Sequence, residues 1–408
     1  MSGALAHIRV LDLSRVLAGP WCSQHLADLG AEVIKIERPV IGDETRAWGP
    51  PFLKNESGED TTEAGYYLSC NRGKKSLTLD ISTAEGQDIV RKLAAKSDVV
   101  LENYKVGQLK KYGLGYDDLK AINPKIVYCS ITGFGQTGPW SHRPGYDFII
   151  QGLGGLMSIT GERDDLPGGG PQKVGVAVTD LMTGMYSTIA VLAALTHRDR
   201  TGVGQYIDMA LLDVSVAMLA NMNMNYLTSG QVPKRWGNAH PNVIPYQVFA
   251  CSDGHIIVAV GNDSQFRKFC EVLDSPELGV DPRFTTNSNR IRNRDTLIPL
   301  LEPLMQARSR DAWVDALEAA SVPCGPINNI DQVFQNPQVK ARGIKIEIPH
   351  ELAGKVPQVA SPMRFSETPI EYNAAPPTLG QHNEYVLREL LGMQTDAIEG
   401  LRRIHVVD

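Results

Sequence analysis

Short apolar runs alternate with helical stretches over the first third of the chain. No other feature limits the fold as much. IRVLDL (Ile8–Leu13) reads as a strand, and Ala18-Gly19-Pro20 turns the chain into a helix that Gly30 closes. Pro20 suits a first helical position, and glycine suits the left-handed residue after a helix end. EVIKIE (Glu32–Glu37), SLTLD (Ser76–Asp80), a helix from Glu85 to about Lys96, DVVLENY (Asp98–Tyr104) and KIVYCSITGFG (Lys125–Gly135) continue the pattern. Strands separated by helices predict an α/β fold, a parallel sheet with right-handed crossovers.

The chain has 408 residues, more than the roughly 250–300 that one hydrophobic core usually serves. The expected division is a large domain over 1–200, completed by 345–408, a linker over 201–230, a smaller domain over 231–325 and a return linker over 326–344. The smaller domain opens on a hairpin, YQVFACSDGHIIVAVG (Tyr246–Gly261), turning at Ser252-Asp253-Gly254. Helices follow near Ser264–Leu273, Arg292–Ala307 and Asp311–Ala320, an α+β pattern. Upstream, Asp180 to about His197 has helical spacing, with Leu181, Met185, Ile189, Leu192 and Leu195 on one side. Another helix is expected from Ala210 to about Tyr226.

Net charge is −6, with no basic block, which argues against a nucleic-acid partner. The N-terminal residues lack a cationic start followed by an apolar core and no apolar run approaches a membrane span, so neither a signal peptide nor a span is expected. Six cysteines form no CxxC and nine histidines show no ligand spacing. The expectation is reduced thiols in a cytoplasmic protein and no metal.

In KVGVAVTDLMTGM (Lys173–Met185), Asp180 interrupts small and apolar residues. A buried carboxylate is costly unless satisfied or used. Spacing alone leaves both an N-cap of the following helix and a chemical role open. A dinucleotide reading would place Glu37 on a ribose, but the loop SRVLAGP lacks GxGxxG, and GxxxxGK[ST] is absent. Scattered cations could still hold phosphates. Arg38 follows a strand end, NRGKKS supplies Arg72, Lys74 and Lys75, and NYKVGQLKK supplies Lys105, Lys110 and Lys111. Each is equally a solvated surface group.

Taken in order, RVLAGPWCSQHLADLGAEVIKIERP, CNRGKKSLTLD, ENY, GFGQTGP, GYDFIIQGLGG, VTDLMTGM, TGVGQYIDMALLD, VPCGPINN and LGQH resemble the family III CoA-transferases. KRWGNAHPNVIPYQVF and VAVGNDSQF resemble the branch that moves CoA between succinyl-CoA and other dicarboxylates, glutarate among them. The resemblance implies a Rossmann-like large domain and an interlocked homodimer, with extended linkers at about 200–230 and 320–345. It makes Asp180 the nucleophile that is acylated and then carries CoA as a thioester. CoA and acyl-CoA are then substrates, with no resident cofactor.

It also implies that Arg38, Leu79, Asn103, Tyr104 and Lys111 hold the CoA nucleotide. The backbone near Tyr146 would line the pantetheine, and Asp147 would hydrogen-bond near Asp180 or simply cap a turn. Arg235, His240 and Asn242 are candidates for the far carboxylate of a dicarboxylate, or for a dimer contact. A 2-methylacyl-CoA racemase on the same fold is an alternative, but resembling racemases carry histidine where this chain has Tyr146, which is no base at neutral pH. A non-catalytic acyl-CoA-binding protein is the other alternative.

Overall fold

The computed structural model describes residues 3–408, and the chain divides into two units. The first contains the chain up to Leu156, Val174–Ser229 and Gln338–Asp408, and the second Met157–Lys173 and Gly230–Pro337.

In the first unit, strands β1 (Arg9–Asp12) and β2 (Glu32–Glu37) are followed by a short antiparallel ribbon, β3 (Phe52–Lys54) and β4 (Asp60–Ala64). Then come β5 (Lys74–Thr78), β6 (Val99–Glu102), β7 (Val127–Thr132) and β8 (Tyr206–Ala210). Six of these form one parallel sheet in the order β5-β2-β1-β6-β7-β8. Both faces are covered, which is why the strands read as continuous Val, Ile and Leu. Alternation along each strand sorts the side chains. Val10, Val33, Val99 and Val127 join one core, and Leu11, Ile34, Val100 and Tyr128 join the other.

The helices of this unit run α1 (Ala18–Asp28), α2 (Gly65–Leu68), α3 (Ala84–Ala94), α4 (Gln108–Lys111), α5 (Tyr116–Ile122) and α6 (Asp147–Leu153). After α7 (Leu156–Ile159) come α8 (Val178–Thr201), α9 (Leu211–Ala217) and α10 (Asn221–Ser229). Helix α1 ends as the sequence predicts, with Gly30 at φ 101°, but starts two residues earlier, at Ala18, so that Pro20 is its third residue. Helix α3 is N-capped by Thr83, whose hydroxyl accepts from Gly86 N–H, and buries Ile89, Val90 and Leu93.

Three expectations need correcting. Residues 201–230 are not a linker: they form β8, α9 and α10 of the first unit, with Ala220 at φ 46° breaking the single helix expected there. Nor is the stretch near 320–345 extended throughout, since Ile330–Gln335 and Pro337–Ala341 are helical. The third correction concerns α8. By length and composition it could cross a membrane, contrary to the expectation that no apolar run would suffice. Its apolar stripe enters the core only at its C-terminal end, through Leu195 with Leu192 packed beside it; Met185 is 39% and Ile189 59% exposed, while Thr179, Thr183, Gly184, Ser187 and Thr188 are buried. Small side chains let α8 approach α1 closely. A Cβ on Gly184 would lie 2.7 Å from Ala18 O and 2.9 Å from Trp21 Cβ.

The second unit is α+β. Its hairpin, β9 (Tyr246–Cys251) and β10 (Gly254–Ala259), is extended by β11 (Cys324–Pro326) on the β10 edge. Helices at Asp263–Val272, Arg294–Met305 and Arg310–Ala319 cover it, enclosing Phe249, Ile256, Phe266, Phe269, Leu301 and Trp313. The ribbon β12 (Lys345–His350) and β13 (Gly354–Val359) returns to the first unit.

The α1–α8 contact makes a prediction with an unusual sign. Alanine in place of a mid-helix glycine normally stabilises by about 1 kcal/mol. Here Gly184→Ala meets a backbone oxygen and is expected to destabilise by about 1–3 kcal/mol, the range for overpacking. The urea midpoint measures it.

Candidate active site

The sheet order creates a switch point. From β1 the chain turns to β2 on one side, and it later returns to β6 on the other. Open α/β sheets bind ligands at such a point, beyond the C-terminal strand ends. A cavity lies there. Arg15, Val16, Leu17 and Ala18 line it after β1, Asn103 and Tyr104 after β6, and Ile131 to Gly133 at the end of β7. Glu44, Trp48, Arg143, Tyr146 and Asp180 complete much of the wall.

Asn103 joins the first two walls. Its Oδ1 accepts from Arg15 N–H at 2.9 Å, and its Nδ2 donates to Arg15 O at 2.7 Å. Tyr104 N–H donates to Glu102 Oε2 at 2.8 Å, and burial pushes the Glu102 carboxyl up to about 7. The Arg15 guanidinium lies 5.1 Å from the Tyr104 ring centroid and pairs with Glu44.

Asp180 occupies the first turn of α8. Helix α8 has no side-chain cap from Ala177. Asp147, the first residue of α6, supplies one from elsewhere in the fold. Its Oδ1 accepts from Thr179 N–H at 2.8 Å and from Asp180 N–H at 3.4 Å. Gln151, fully buried, steadies this cap: its Nε2 donates to Asp147 Oδ2 at 2.6 Å, and its Oε1 accepts from Val174 N–H at 3.0 Å. The Asp180 carboxyl is pushed up to about 7, first by burial and then by the charge of Asp147. A helix N-terminus favours an anion, but burial and the second acid outweigh it.

The remaining predicted residues scatter. Tyr146 caps the start of α6 and lines the cavity. Arg38 and Lys111 are exposed and stand outside the lining. Leu79 has a buried side chain packed in the core, and only its backbone could meet a ligand. Arg235, His240 and Asn242 belong to the second unit. Arg235 pairs with Asp164 and donates to the carbonyls of Glu162 and Ser158. His240 Nδ1 accepts from Asn242 N–H at 3.0 Å, and burial, helped by Arg294, lowers its pKa. Asn242 O accepts from Asn287 Nδ2.

The basic run NRGKKS is another correction. Arg72 pairs with Asp28 and Lys74 lies beside Asp12, both buried, and Lys75 pairs with Glu32. Glu37 is likewise committed, to Arg46. These cations serve the fold because each meets a carboxylate from another segment. Sequence reasoning missed Glu44, Trp48 and Arg143 as cavity walls. No local pattern marks them, since the sheet topology alone brings their loops together. Among the described residues no group of three His, Cys, Asp or Glu is placed to hold a metal ion.

The profile of CoA-transferase family III matches residues 5–383, and this chain belongs to that family as a CoA-transferase. It is 50% identical to the succinate–glutarate CoA-transferase of Agrobacterium fabrum (strain C58 / ATCC 33970), with 95% of each chain covered. It is 45% identical to the human succinyl-CoA:glutarate CoA-transferase, covering 99% of this chain and 90% of that one. The crystal structure of a CAIB/BAIF family protein from Brucella suis superimposes with a TM-score of 0.84 at 51% identity, covering 96% of this chain and 100% of that one.

The pKa of Asp180 fixes a sign. If the carboxylate is the reacting form, kcat/KM in the free enzyme should rise with pH to a plateau above about 7. Asp147→Asn keeps an oxygen for Thr179 and removes a charge, so the rising limb should move to lower pH. Stability runs the other way. A folded-state pKa raised from 3.8 to about 7 means the folded chain holds a proton that the unfolded chain releases, so stability falls as pH rises across that interval. Asp180→Asn should therefore melt higher than wild type at pH 8 and show no such gain below pH 4.

Proposed function

We propose that this protein moves CoA from succinyl-CoA to a dicarboxylate such as glutarate, with Asp180 as covalent carrier. One observation carries the reading: Asp180 lines the switch-point cavity, and the neighbouring charge that reaches it, Asp147, is acidic rather than basic. A carboxylate held without a cation is a better nucleophile than one locked in an ion pair. The names of the relatives supply the donor and acceptor class.

The chemistry proceeds by acyl substitution at two carbons. An Asp180 carboxylate oxygen attacks the thioester carbonyl, the C–S bond breaks, and a mixed anhydride forms as CoA thiolate leaves. The thiolate attacks Asp180 Cγ and releases the donor acid, leaving an aspartyl-CoA thioester. The acceptor carboxylate attacks the same Cγ and expels the thiolate again. Thiolate then attacks the acceptor carbonyl and frees both the new thioester and Asp180. Splitting one exchange into such steps is the gain of covalent catalysis. A carboxylate is required because its own carbon must accept sulfur.

Asn103 and Tyr104, walls of the cavity, would hold the CoA nucleotide together with exposed Arg38 and Lys111, and the backbone near Tyr146 would line the pantetheine. For the far carboxylate, Arg15 and Arg143 line the cavity, whereas Arg235 is committed to Asp164. The racemase alternative is not favoured, because Tyr146 rather than a histidine stands beside Asp147. Exposed Phe148, Ile149, Met185 and Ile189 support a homodimer in which a second copy covers them. Free cysteines, five of them buried, support a reducing cytoplasmic setting.

Hydroxylamine added during incubation with succinyl-CoA should convert Asp180 to a hydroxamate. Turnover with an acceptor labelled with heavy oxygen in its carboxylate should place label in Asp180. Asp180→Ala is expected to lose at least ~10³-fold in rate, the scale of losing a covalent nucleophile. Peptide mass spectrometry reads the first two; an unlabelled Asp180 after many turnovers would exclude the route.

A further inference from the structure

Two ammonium groups lie inside the first unit beneath the turn that follows β1. Lys35 Nζ donates to Ser14 O and to Asp43 Oδ2, each at 2.9 Å. Lys74 Nζ donates to Pro20 O at 2.9 Å and to Asn71 Oδ1 at 2.8 Å, and lies 3.4 Å from Asp12 Oδ2. Asp12 accepts from Ser14 N–H and from the hydroxyls of Ser14 and Ser23. Asp43 accepts from Val16 N–H at 3.2 Å. Lys35, Lys74, Asp12 and Asp43 are all buried. Burial works against the Lys35 ammonium, but Asp43, Asp12 and Glu37 raise its pKa overall.

The turn they grip is strained. Val16 stands at φ 72°, the left-handed region, where a β-branched residue is a genuine outlier. Such conformations persist only where surrounding structure over-determines them, and they cluster at functional sites. Buried ion networks are poor stabilisers compared with apolar packing of the same volume. This one grips Ser14 O and Pro20 O, on either side of the residues Arg15 to Ala18 that wall the Asp180 cavity, and Val16 N–H among them.

We propose that Lys35 and Asp43, assisted by Lys74 and Asp12, are positioning residues that hold Val16 left-handed and so keep this wall shut against water while Asp180 is acylated. The proposal rests on Asp180 being the nucleophile. With the wall open, water adds to Cγ of the aspartyl-CoA thioester and the C–S bond breaks. CoA leaves as free thiol, the Asp180 carboxylate is regenerated and one proton is released. Transfer becomes hydrolysis.

The test is a rescue. Lys35→Met combined with Asp43→Asn removes both charges together. The pair should lower the transfer kcat by about 10–100-fold, the scale of a small misplacement. It should raise the ratio of free CoA thiol to transferred product about tenfold or more, with the KM for succinyl-CoA nearly unchanged. Adding Val16→Gly, which takes positive φ without penalty, should recover most of the ratio; adding Val16→Ala should not. An unchanged ratio in the charge-deleted pair, or equal recovery by glycine and alanine, would overturn the proposal. Should that pair fail to fold, single variants decide. Val16→Gly should melt above Val16→Ala, the reverse of the usual order, and the opposite result removes the strain the proposal needs. Asp180→Ala separates the two readings: thiol release that survives it sinks the nucleophile assignment, whereas a failed rescue with Asp180-dependent transfer sinks the positioning proposal alone.

Discussion

The close packing of α8 against α1 governs the rest of the first unit. Gly184 has no Cβ, and its neighbours on that face are threonines and serines. The two helices can therefore lie nearly backbone to backbone over one face of the sheet. With α8 seated there, its first turn reaches the C-terminal strand edge, and Asp180 enters the cavity at the β1–β6 switch. The same seating turns Met185 and Ile189 outward.

Around Asp180 the electrostatics are set by an acid, not a base. Asp147 spends one oxygen on the α8 backbone and is braced by Gln151 on the other. It thereby fixes the start of α8 and discourages the ionisation of Asp180 at once. An arginine in the same place would stabilise the anion instead.

Much of the framework was legible from residues alone. Apolar runs mark β1 and β2 to within a residue and contain β6 and β7 with up to three residues to spare, since a strand buried on both faces is mostly apolar. Gly30 marks the end of α1 because a left-handed residue is needed there. Asp180 stands out as a charge among small residues. The misreadings share a cause. Arg72 and Lys74 look like phosphate ligands because cations usually face water, yet their partners Asp28 and Asp12 come from distant segments. The apolar stripe of α8 looks like a core face, yet small residues pack closer than large ones.

By itself, the sequence determined the class of fold, the helix that carries Asp180 and the family to which the chain belongs, because these depend on local periodicity and on ordered motifs. Only the tertiary structure decided which charges are buried in pairs, which face of α8 is exposed, and that Arg15, Trp48, Asn103 and Arg143 share one cavity with Asp180. The reason is physical: those facts depend on contacts between segments tens to hundreds of residues apart, and sheet order, which no local pattern encodes, sets which segments meet.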